Sequence, residues 1–481
     1  MQLFLDKPGD EGLPGAKRCI AMIAVMTSTT MAVFDGAVVN IALPQIAQTM
    51  HVLPGMAVWV SSGYLLAAAM LLACCASLAN HLGFRTLFAA GIALFTMSSL
   101  GCALSTSLPM LVAMRVLQGI GGAATMSIGP AILRAIFPNR LLGQTIGLNA
   151  LLIATSTAVA PIVGGVLLSI GGWPWLFAIN IPLGIVALVL TLRVMPNERS
   201  AQHEPFDFLG AVLSAIALGA LVMSANAFAH PATGSHSTNT GIEAAAYGIS
   251  AIVAGTAFIV RQRHTLHPLI PLSLFSSLRF SLAALTSMVS FISQGITFIA
   301  LPFLFQNVYG YSALQSALLF MPWPIGIILA APQAGKLSDR YPPALISTCG
   351  LGCFALGLVL LANLSVQASI VNIVVSGLVC GVGFGCFQSP NNREMLSNVP
   401  RASTSYASGV LAIMRISGQC LGAAGVGSVL SAYAVVHSAI GQEISAIHVC
   451  LWGAFGATAT ALLISLSRLR YAMTLTKGAS H

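Results

Sequence analysis

Two ionisable side chains of opposite charge, Asp35 and Arg115, lie inside apolar stretches that are long enough to cross a lipid bilayer. Asp35 interrupts MIAVMTSTTMAVFDGAVVNIALP (22–44), which carries no other charge. A charged side chain at the centre of a membrane helix costs roughly 2.5–3.5 kcal/mol, and such residues usually mark a proton or ion path. Asp35 is therefore the leading candidate for a group that binds and releases a proton. The alternative is a carboxylate that is protonated or paired for packing alone.

The depths of Asp35 and Arg115 predict that the two side chains pair. Asp35 lies about 15 residues into a span that rises from the inner side, or roughly 22 Å. Arg115 lies about six residues into a span that descends from the outer side, which leaves roughly 21 Å of a ~30 Å hydrocarbon core. A nearby Arg lowers the proton affinity of a carboxylate and burial raises it, so movement between two states can change protonation. A static neutralised pair is the alternative.

A second arginine, Arg415, also falls within a span, about ten residues or ~15 Å deep, and its own helix has no acidic residue. It either binds an anionic group of a substrate or contacts polar side chains of the preceding span, where Gln388, Asn391 and Asn392 are the candidates. A fixed cation in the pocket disfavours a purely cationic substrate.

Two further side chains are candidates for the substrate cavity. Gln118 follows Arg115 at helical spacing and offers a hydrogen-bond donor on the same helix face. Trp323, between Pro322 and Pro324, suits either an aromatic pocket wall or a broken helix at a lipid interface.

Composition places these side chains in a membrane protein, since 57% of the 481 residues are hydrophobic and only 6% are charged. Soluble globular proteins carry about 25% charged residues. Apolar stretches of ~17–25 residues predict fourteen transmembrane helices. The outer loops contain no Lys or Arg, which places both termini in the cytoplasm. The formal charge of +9 reflects this inner rim facing anionic lipid, and no clustered basic domain supports nucleic-acid binding.

An internal repeat divides the chain into two halves of parallel orientation. Residues 147–169 align without gaps with residues 409–431, and residues 119–127 align with residues 381–389. Parallel repeats around a site at the membrane midplane are one architecture of secondary transporters.

The expected organisation is an all-α membrane protein of two six-helix halves plus two inserted helices. Its segments are a cytoplasmic N-terminal segment (1–18), an N-terminal six-helix half (19–195), a linker with two extra transmembrane helices (196–279), a C-terminal six-helix half (280–467) and a cytoplasmic tail (468–481).

Five motifs resemble the major facilitator superfamily, and most closely its fourteen-helix drug:proton antiporter branch, over essentially the whole chain. They are the first-span signature DGAVVNIALP (35–44), the loop motif ASLANHLGFR (76–85), the arginine motif RVLQG (115–119), the antiporter motif APIVGG (160–165) and the sixth-span start WPWLFAINIPLG (173–184). The resemblance implies a major facilitator fold, in which the first and fourth helices line a central cavity and Asp35 and Arg115 couple transport to protons.

The same resemblance implies gating roles for residues of the loop and antiporter motifs. These residues are Asn80, Gly83 and Arg85 in the loop motif, Pro161, Gly164 and Gly165 in the antiporter motif, and Asp339 and Arg340 in the second copy of the loop motif. The first loop motif departs from the family pattern, because Asn80 stands where Asp is usual and its basic pair is reduced to Phe84 and Arg85. We therefore expect a weaker gating latch in the first half, with the second copy carrying more of that duty.

The function predicted from these features is proton-coupled export of hydrophobic or amphipathic small molecules. One alternative is a proton-coupled exporter of a specific metabolite or siderophore, which Arg415 favours. A remote alternative is a membrane receptor or membrane-embedded enzyme, which the lack of soluble domains, of a metal constellation and of a clustered nucleophile with its base disfavours. The sequence has no phosphate-binding loop, which argues against ATP hydrolysis as the energy source. The expected partners are protons, a small-molecule substrate and the lipid bilayer, with no cofactor, metal or nucleic acid. The chain is expected to be a monomer in the plasma membrane, in this case a bacterial inner membrane.

Overall fold

The structure is a computed structural model that describes residues 12–196, 207–227, 239–265, 268–365, 367–400, 404–436 and 440–478. Every regular element in these ranges is a helix. Fourteen helical segments are long and apolar enough to cross a membrane, which confirms the predicted number of spans. A helix of about 20 residues covers the ~30 Å of hydrocarbon, because each residue rises ~1.5 Å.

The first half is built from α1 to α8. Their bounds are α1 (Gly15–Thr49), α2 (Pro54–Ala57), α3 (Trp59–Leu82), α4 (Phe84–Ala103), α5 (Leu108–Ile136), α6 (Asn139–Gly171), α7 (Pro174–Ala178) and α8 (Asn180–Val194).

Two inserted helices and then the second half follow. The inserted helices are α9 (Phe208–Ala227) and α10 (Asn239–His264), and a 3₁₀ turn (Leu272–Ser276) leads into the second half. The helices of the second half are α11 (Leu278–Phe303), with a π-helical turn (Leu304–Val308) at its end, α12 (Ala313–Phe320), α13 (Pro322–Leu337), α14 (Pro343–Ala362), α15 (Ile370–Ser397), α16 (Thr404–Val436) and α17 (Ile440–Gly478).

Three spans consist of two consecutive helices each, with a proline at the start of the span in the first two and at the break between the two helices in the third. Pro54, Pro174 and Pro322 stand in the first turn of α2, α7 and α13. Proline has no N–H to donate to the preceding turn, so it fits the start of a helix and interrupts its interior. These breaks lie toward the ends of the spans that the charge bias assigns to the outer face.

The two halves pack tightly against each other at these outer ends. A Cβ on Gly55 of α2 would lie 2.5 Å from a backbone carbonyl oxygen of α16, and one on Gly165 of α6 would lie 2.9 Å from the Cβ of Ala317 on α12. Gln306 Nε2 also donates a hydrogen bond of 2.8 Å to the carbonyl of Ile41 across the same junction. We refer to this packing of the outer ends as the outward-closed arrangement.

The inserted helices α9 and α10 pack against each other, and α9 also contacts α3 and α16, one helix from each half. Asp207 joins their inner ends, because its carboxylate accepts hydrogen bonds from the Gly210 N–H (2.9 Å), Arg261 Nε (2.6 Å) and Gln262 Nε2 (2.7 Å). Gln262 Oε1 accepts in turn from the Ile270 N–H at 3.2 Å. Burial raises the pKa of Asp207, but these hydrogen bonds and the charge of Arg261 outweigh it, so the pKa lies below its usual value.

Candidate functional site

Asp35 of α1 and Arg115 of α5 form an ion pair in the interior of the first half, in which Arg115 Nη1 donates to Asp35 Oδ2. Asp35 Oδ1 accepts two further hydrogen bonds, from Gln118 Nε2 at 2.9 Å and from Asn180 Nδ2 of α8 at 3.1 Å. All four residues are at most 1% exposed. The carboxylate is thus held by side chains from two other helices, α5 and α8, and shielded from water. We refer to Asp35, Arg115, Gln118 and Asn180 as the coupling cluster.

The arginine of this cluster is fixed on several sides. Arg115 Nε donates to the Val60 carbonyl at 2.9 Å, and Nη1 also donates to Gln118 Oε1 at 2.6 Å. The guanidinium carbon lies 4.4 Å from the ring centroid of Tyr64 and 5.6 Å from that of Phe177. Aromatic faces attract a cation electrostatically. The hydrogen bonds and the two rings therefore fix the orientation of the guanidinium in the interior.

The glycines that follow Arg115 allow this geometry. A Cβ on Gly119 would lie 2.4 Å from the carbonyl oxygen of Tyr64, and one on Gly122 would lie 2.8 Å from the Tyr64 hydroxyl. Real Cβ atoms essentially never approach so closely, so α5 can lie against α3 only with glycine at these positions. Close packing through small residues is typical of membrane helices.

A pocket lies between the two halves, bounded by α1 and α6 on one side and by α11, α12 and α13 on the other. Its lining residues are Ala37, Asn40, Ile41, Thr157, Pro161, Gln294, Phe298, Pro302, Phe320, Trp323, Pro324 and Ile327. None of these described residues is ionisable, and only a few side chains offer hydrogen bonds. Mostly apolar pockets with a few polar groups are typical of small-molecule sites.

Trp323 lies in the wall of this pocket. This position agrees with the first of the two interpretations of its sequence, an aromatic pocket wall. Trp323 is 1% exposed and packs edge-on against Phe298, with ring centroids 5.4 Å apart, and against Phe354 at 5.5 Å. It also stacks parallel to Phe320, with centroids 6.5 Å apart. Within the described part of the chain, its indole Nε1 has no hydrogen-bond partner.

The remaining predicted cavity residues lie outside this pocket. Gln118 belongs to the coupling cluster, so its assignment to the substrate cavity is corrected. Gln388, Asn392 and Arg415 are partly buried and are not among the residues that line the pocket.

Asn391 is completely buried in a second polar cluster, inside the second half, and its assignment to the cavity is corrected as well. Arg468 Nη1 donates to Asn391 Oδ1 at 2.6 Å and lies 3.5 Å from Glu394 Oε2, while Nη2 donates to Ser347 Oγ at 2.6 Å. Arg468 was expected in the cytoplasmic tail, yet it is 0% exposed within α17. It holds α14, α15 and α17 together.

The first loop motif joins α3 to α4 and α4 to α8. Gly83 separates the first two helices with φ of +87°, a left-handed conformation that favours glycine. An Arg85 nitrogen, Nη2, donates to the Leu192 carbonyl of α8. The side chain of Asn80 lies outside the described part of the structure, so its effect on gating stays a prediction.

In the second copy of the loop motif, Asp339 pairs with Arg393 of α15. Arg340, the other predicted gating residue of this motif, is exposed. The contact therefore ties the loop between α13 and α14 to the inner part of α15. Sequence reasoning missed Arg393, which lies 54 residues away along the chain.

The antiporter motif lies in the part of α6 that contacts α1 of the first half and α12 of the second half. Pro161, inside α6, lines the pocket. A Cβ on Gly164 would lie 2.2 Å from Val38 Cγ2 of α1, and one on Gly165 would lie 2.9 Å from Leu314 Cα of α12. The two glycines therefore permit close contact with α1 on one side of α6 and with α12 on another.

Sequence reasoning also missed Asn180 and Gln294. Asn180 was visible as a lone amide in the start of the sixth span, WPWLFAINIPLG (173–184). Gln294 lies within one residue of the position in the second half that corresponds to Asp35, because IALP begins six residues after Asp35 and five residues after Gln294. The carboxylate of the first half thus has no ionisable counterpart at the corresponding place in the second half.

Comparison with known proteins gives a family match and similar relatives, among them YebQ, RibZ and Stp. Residues 25–423 match the family model described as Major Facilitator Superfamily. YebQ, an uncharacterized transporter of Escherichia coli (strain K12), is 39% identical over 424 residues, which cover 88% of this chain and 91% of YebQ. Riboflavin transporter RibZ of Clostridioides difficile (strain 630) is 27% identical, covering 85% of this chain and 87% of RibZ. Multidrug resistance protein Stp of Mycobacterium tuberculosis is 30% identical, covering 86% of this chain and 76% of Stp.

Proposed function

The chain belongs to the Major Facilitator Superfamily, and we propose that it exports hydrophobic or amphipathic small molecules in exchange for protons. Membership of this family and the similarity to known transporters indicate that the protein transports small molecules and is not an enzyme. Its fourteen apolar helices and bacterial relatives place it in the bacterial inner membrane as a multi-pass protein.

The observation that carries the proposal is the coupling cluster. Asp35 is a fully buried carboxylate whose hydrogen-bond donors all come from the first half. An ionised carboxylate only accepts hydrogen bonds, whereas a protonated one carries a donor and loses its charge. Protonation would therefore break the charge pairing and leave Arg115 as an uncompensated buried cation, which is strongly unfavourable. A rearrangement of the first half is the expected response.

In the proposed cycle, Asp35 takes a proton from the outer side, and its neutralisation favours the arrangement open to the cytoplasm. Substrate then enters while the proton leaves to the cytoplasm. Return of the charged pair between Asp35 and Arg115 completes the cycle. The outward-closed arrangement of the structure supports this scheme, because such a cycle needs one state whose outer path is sealed.

The pocket between the halves supports a hydrophobic substrate. Its walls are aromatic and aliphatic, and the described lining residues include no charge that would select a hydrophilic ion. Binding between two halves also lets the site change its exposure when they move relative to each other.

The Asp35→Asn variant tests the proposal in proteoliposomes. The change keeps the size of the side chain and one acceptor oxygen but removes the titrating carboxylate. With N-phenyl-1-naphthylamine as probe, uptake driven by an imposed pH gradient should be lost, while exchange of the probe at equal pH should persist. Asp207→Asn is the matched control, since it removes a carboxylate far from the coupling cluster and should keep gradient-driven uptake. Undiminished proton-driven uptake by Asp35→Asn would exclude Asp35 as the coupling residue.

A second candidate function is proton-coupled export of one specific metabolite or siderophore. The riboflavin transporter among the relatives favours it, because that protein is named for a single substrate. Competition assays discriminate the two functions: a narrow exporter is inhibited by close analogues of one compound, whereas a multidrug exporter is inhibited by chemically unrelated amphiphiles.

A further inference from the structure

Two completely buried arginines in the described part of the two halves, Arg115 and Arg468, each lie beside an acidic side chain, whereas the partly buried Arg415 does not. Arg115 is paired with Asp35, and Arg468 lies 3.5 Å from Glu394. Arg415 makes no hydrogen bond or ion pair within the residues that the structure describes. An arginine at this depth of a membrane span without a counter-charge is costly, and such residues usually mark a substrate or ion path.

The position of Arg415 on α16 connects it to the pocket. Gln419 follows Arg415 by four residues, so both lie on the same face of the helix, about 6 Å apart. Gln419 Nε2 donates to Gln294 Oε1 at 3.0 Å, and Gln294 lines the pocket. Arg415 therefore lies one helical turn from the pocket wall, on the side toward the cytoplasm.

Arg415 also lies near the coupling cluster. Its neighbours Ile413 and Ile416 pack in one cluster with Ala68 and Leu72 of α3, the helix whose Tyr64 ring covers the guanidinium of Arg115. The carboxylate of Asp35 is already engaged with Arg115, Gln118 and Asn180. No acidic side chain of this region is left to neutralise Arg415 in the described structure.

We propose that Arg415 binds an anionic group of the transported molecule, such as a carboxylate or a sulfonate, while the adjoining pocket takes its aromatic or aliphatic body. The planar guanidinium presents several donors in a fork that matches such groups. The substrate class is then an amphipathic organic anion. This inference rests on the proposed transport function but does not depend on proton coupling.

The experiment compares two fluorescent probes that share one scaffold. 8-Anilinonaphthalene-1-sulfonate carries the anion, and N-phenyl-1-naphthylamine is the same ring system without it. Their dissociation constants are measured for purified protein in phosphatidylcholine nanodiscs at neutral pH without a pH gradient, with empty nanodiscs subtracted. Because no pH gradient is present, this measurement does not depend on proton coupling. A failure of the anion-binding proposal can therefore be distinguished from a failure of the proton-coupling proposal.

Arg415→Gln should weaken binding of the sulfonate probe by about tenfold or more, since hydrogen bonds to charged groups contribute strongly. Binding of the neutral probe should change by less than about twofold. Arg193→Gln is the matched control, because it removes an exposed arginine of α8 at a distance from the pocket and should leave both affinities unchanged.

Arg415→Lys keeps the positive charge but lacks the planar fork, so it should weaken the sulfonate probe by an intermediate amount and spare the neutral probe. This variant also decides the matter if Arg415→Gln does not fold, which thermal unfolding of the variants reveals. Equal changes in both affinities, or no change in either, would overturn the assignment of Arg415 to anion binding.

Discussion

Gly165→Val is expected to shift the protein away from the outward-closed arrangement. A Cβ at this position would lie 2.9 Å from Ala317 Cβ and 2.9 Å from Leu314 Cα, whereas carbon atoms in good contact lie about 3.5–4.0 Å apart. One contact is to backbone, so α6 and α12 must separate by at least ~0.6 Å. Overpacking of this kind costs about 1–3 kcal/mol.

The cost applies to the outward-closed arrangement alone, because the contact between α6 and α12 is lost when the outer ends separate. An energy of about 1–3 kcal/mol corresponds to roughly a 5- to 160-fold change in the equilibrium between the two arrangements. Gly147→Val on the same helix is the control. A Cβ on Gly147 would meet no atom within 4 Å, so this change tests helix propensity without the clash.

The assay is a spin-label distance measurement between cysteines at Ile170 in the first half and Asn363 in the second. The exposed native Cys349 is first replaced by serine, and the other native cysteines are shown not to react. Gly165→Val should add a population with a longer distance, whereas Gly147→Val should match the parent protein. An unchanged distance distribution in a folded Gly165→Val protein would refute the reasoning.

Two predictions concern stability. Arg468→Met should lower the free energy of unfolding by about 3–5 kcal/mol, because Glu394 is left as an unpaired buried acid. Thermal unfolding measures this loss, with Arg193→Met, which removes an exposed arginine, as the control. A loss no larger than that of the control would contradict the prediction. The attachment of α9 to α10 should weaken as the pH falls. The pKa of Asp207 is depressed in the folded state, so its stabilisation is present above the usual carboxyl value of about 3.9 and is lost as the pH falls through the folded value. Backbone hydrogen exchange in α9 and α10 should therefore accelerate at low pH, and in Asp207→Asn already at neutral pH. Identical exchange in wild type and variant would contradict this role.

Several features of the protein were predictable from sequence because they depend on local composition. The number of spans follows from the length of apolar segments, and a carboxylate such as Asp35 stands out in any of them. The depth at which Asp35 and Arg115 meet follows from counting residues along two helices of known rise. The repeat between the halves was visible as aligned sequence.

Other features required the tertiary structure, because they depend on how each helix is rotated and on which helix is its neighbour. The rotation of α15 about its axis directs Asn391 away from the cavity and toward Arg468. The rotation of α13 places Trp323 in the pocket wall. The position of α15 beside the loop between α13 and α14 lets Asp339 pair with Arg393 and not with the adjacent Arg340. In a span that is apolar on every side, periodicity does not distinguish the face toward lipid from the face toward protein, so a single sequence leaves these choices undetermined. The packing of side chains from distant helices then determines them.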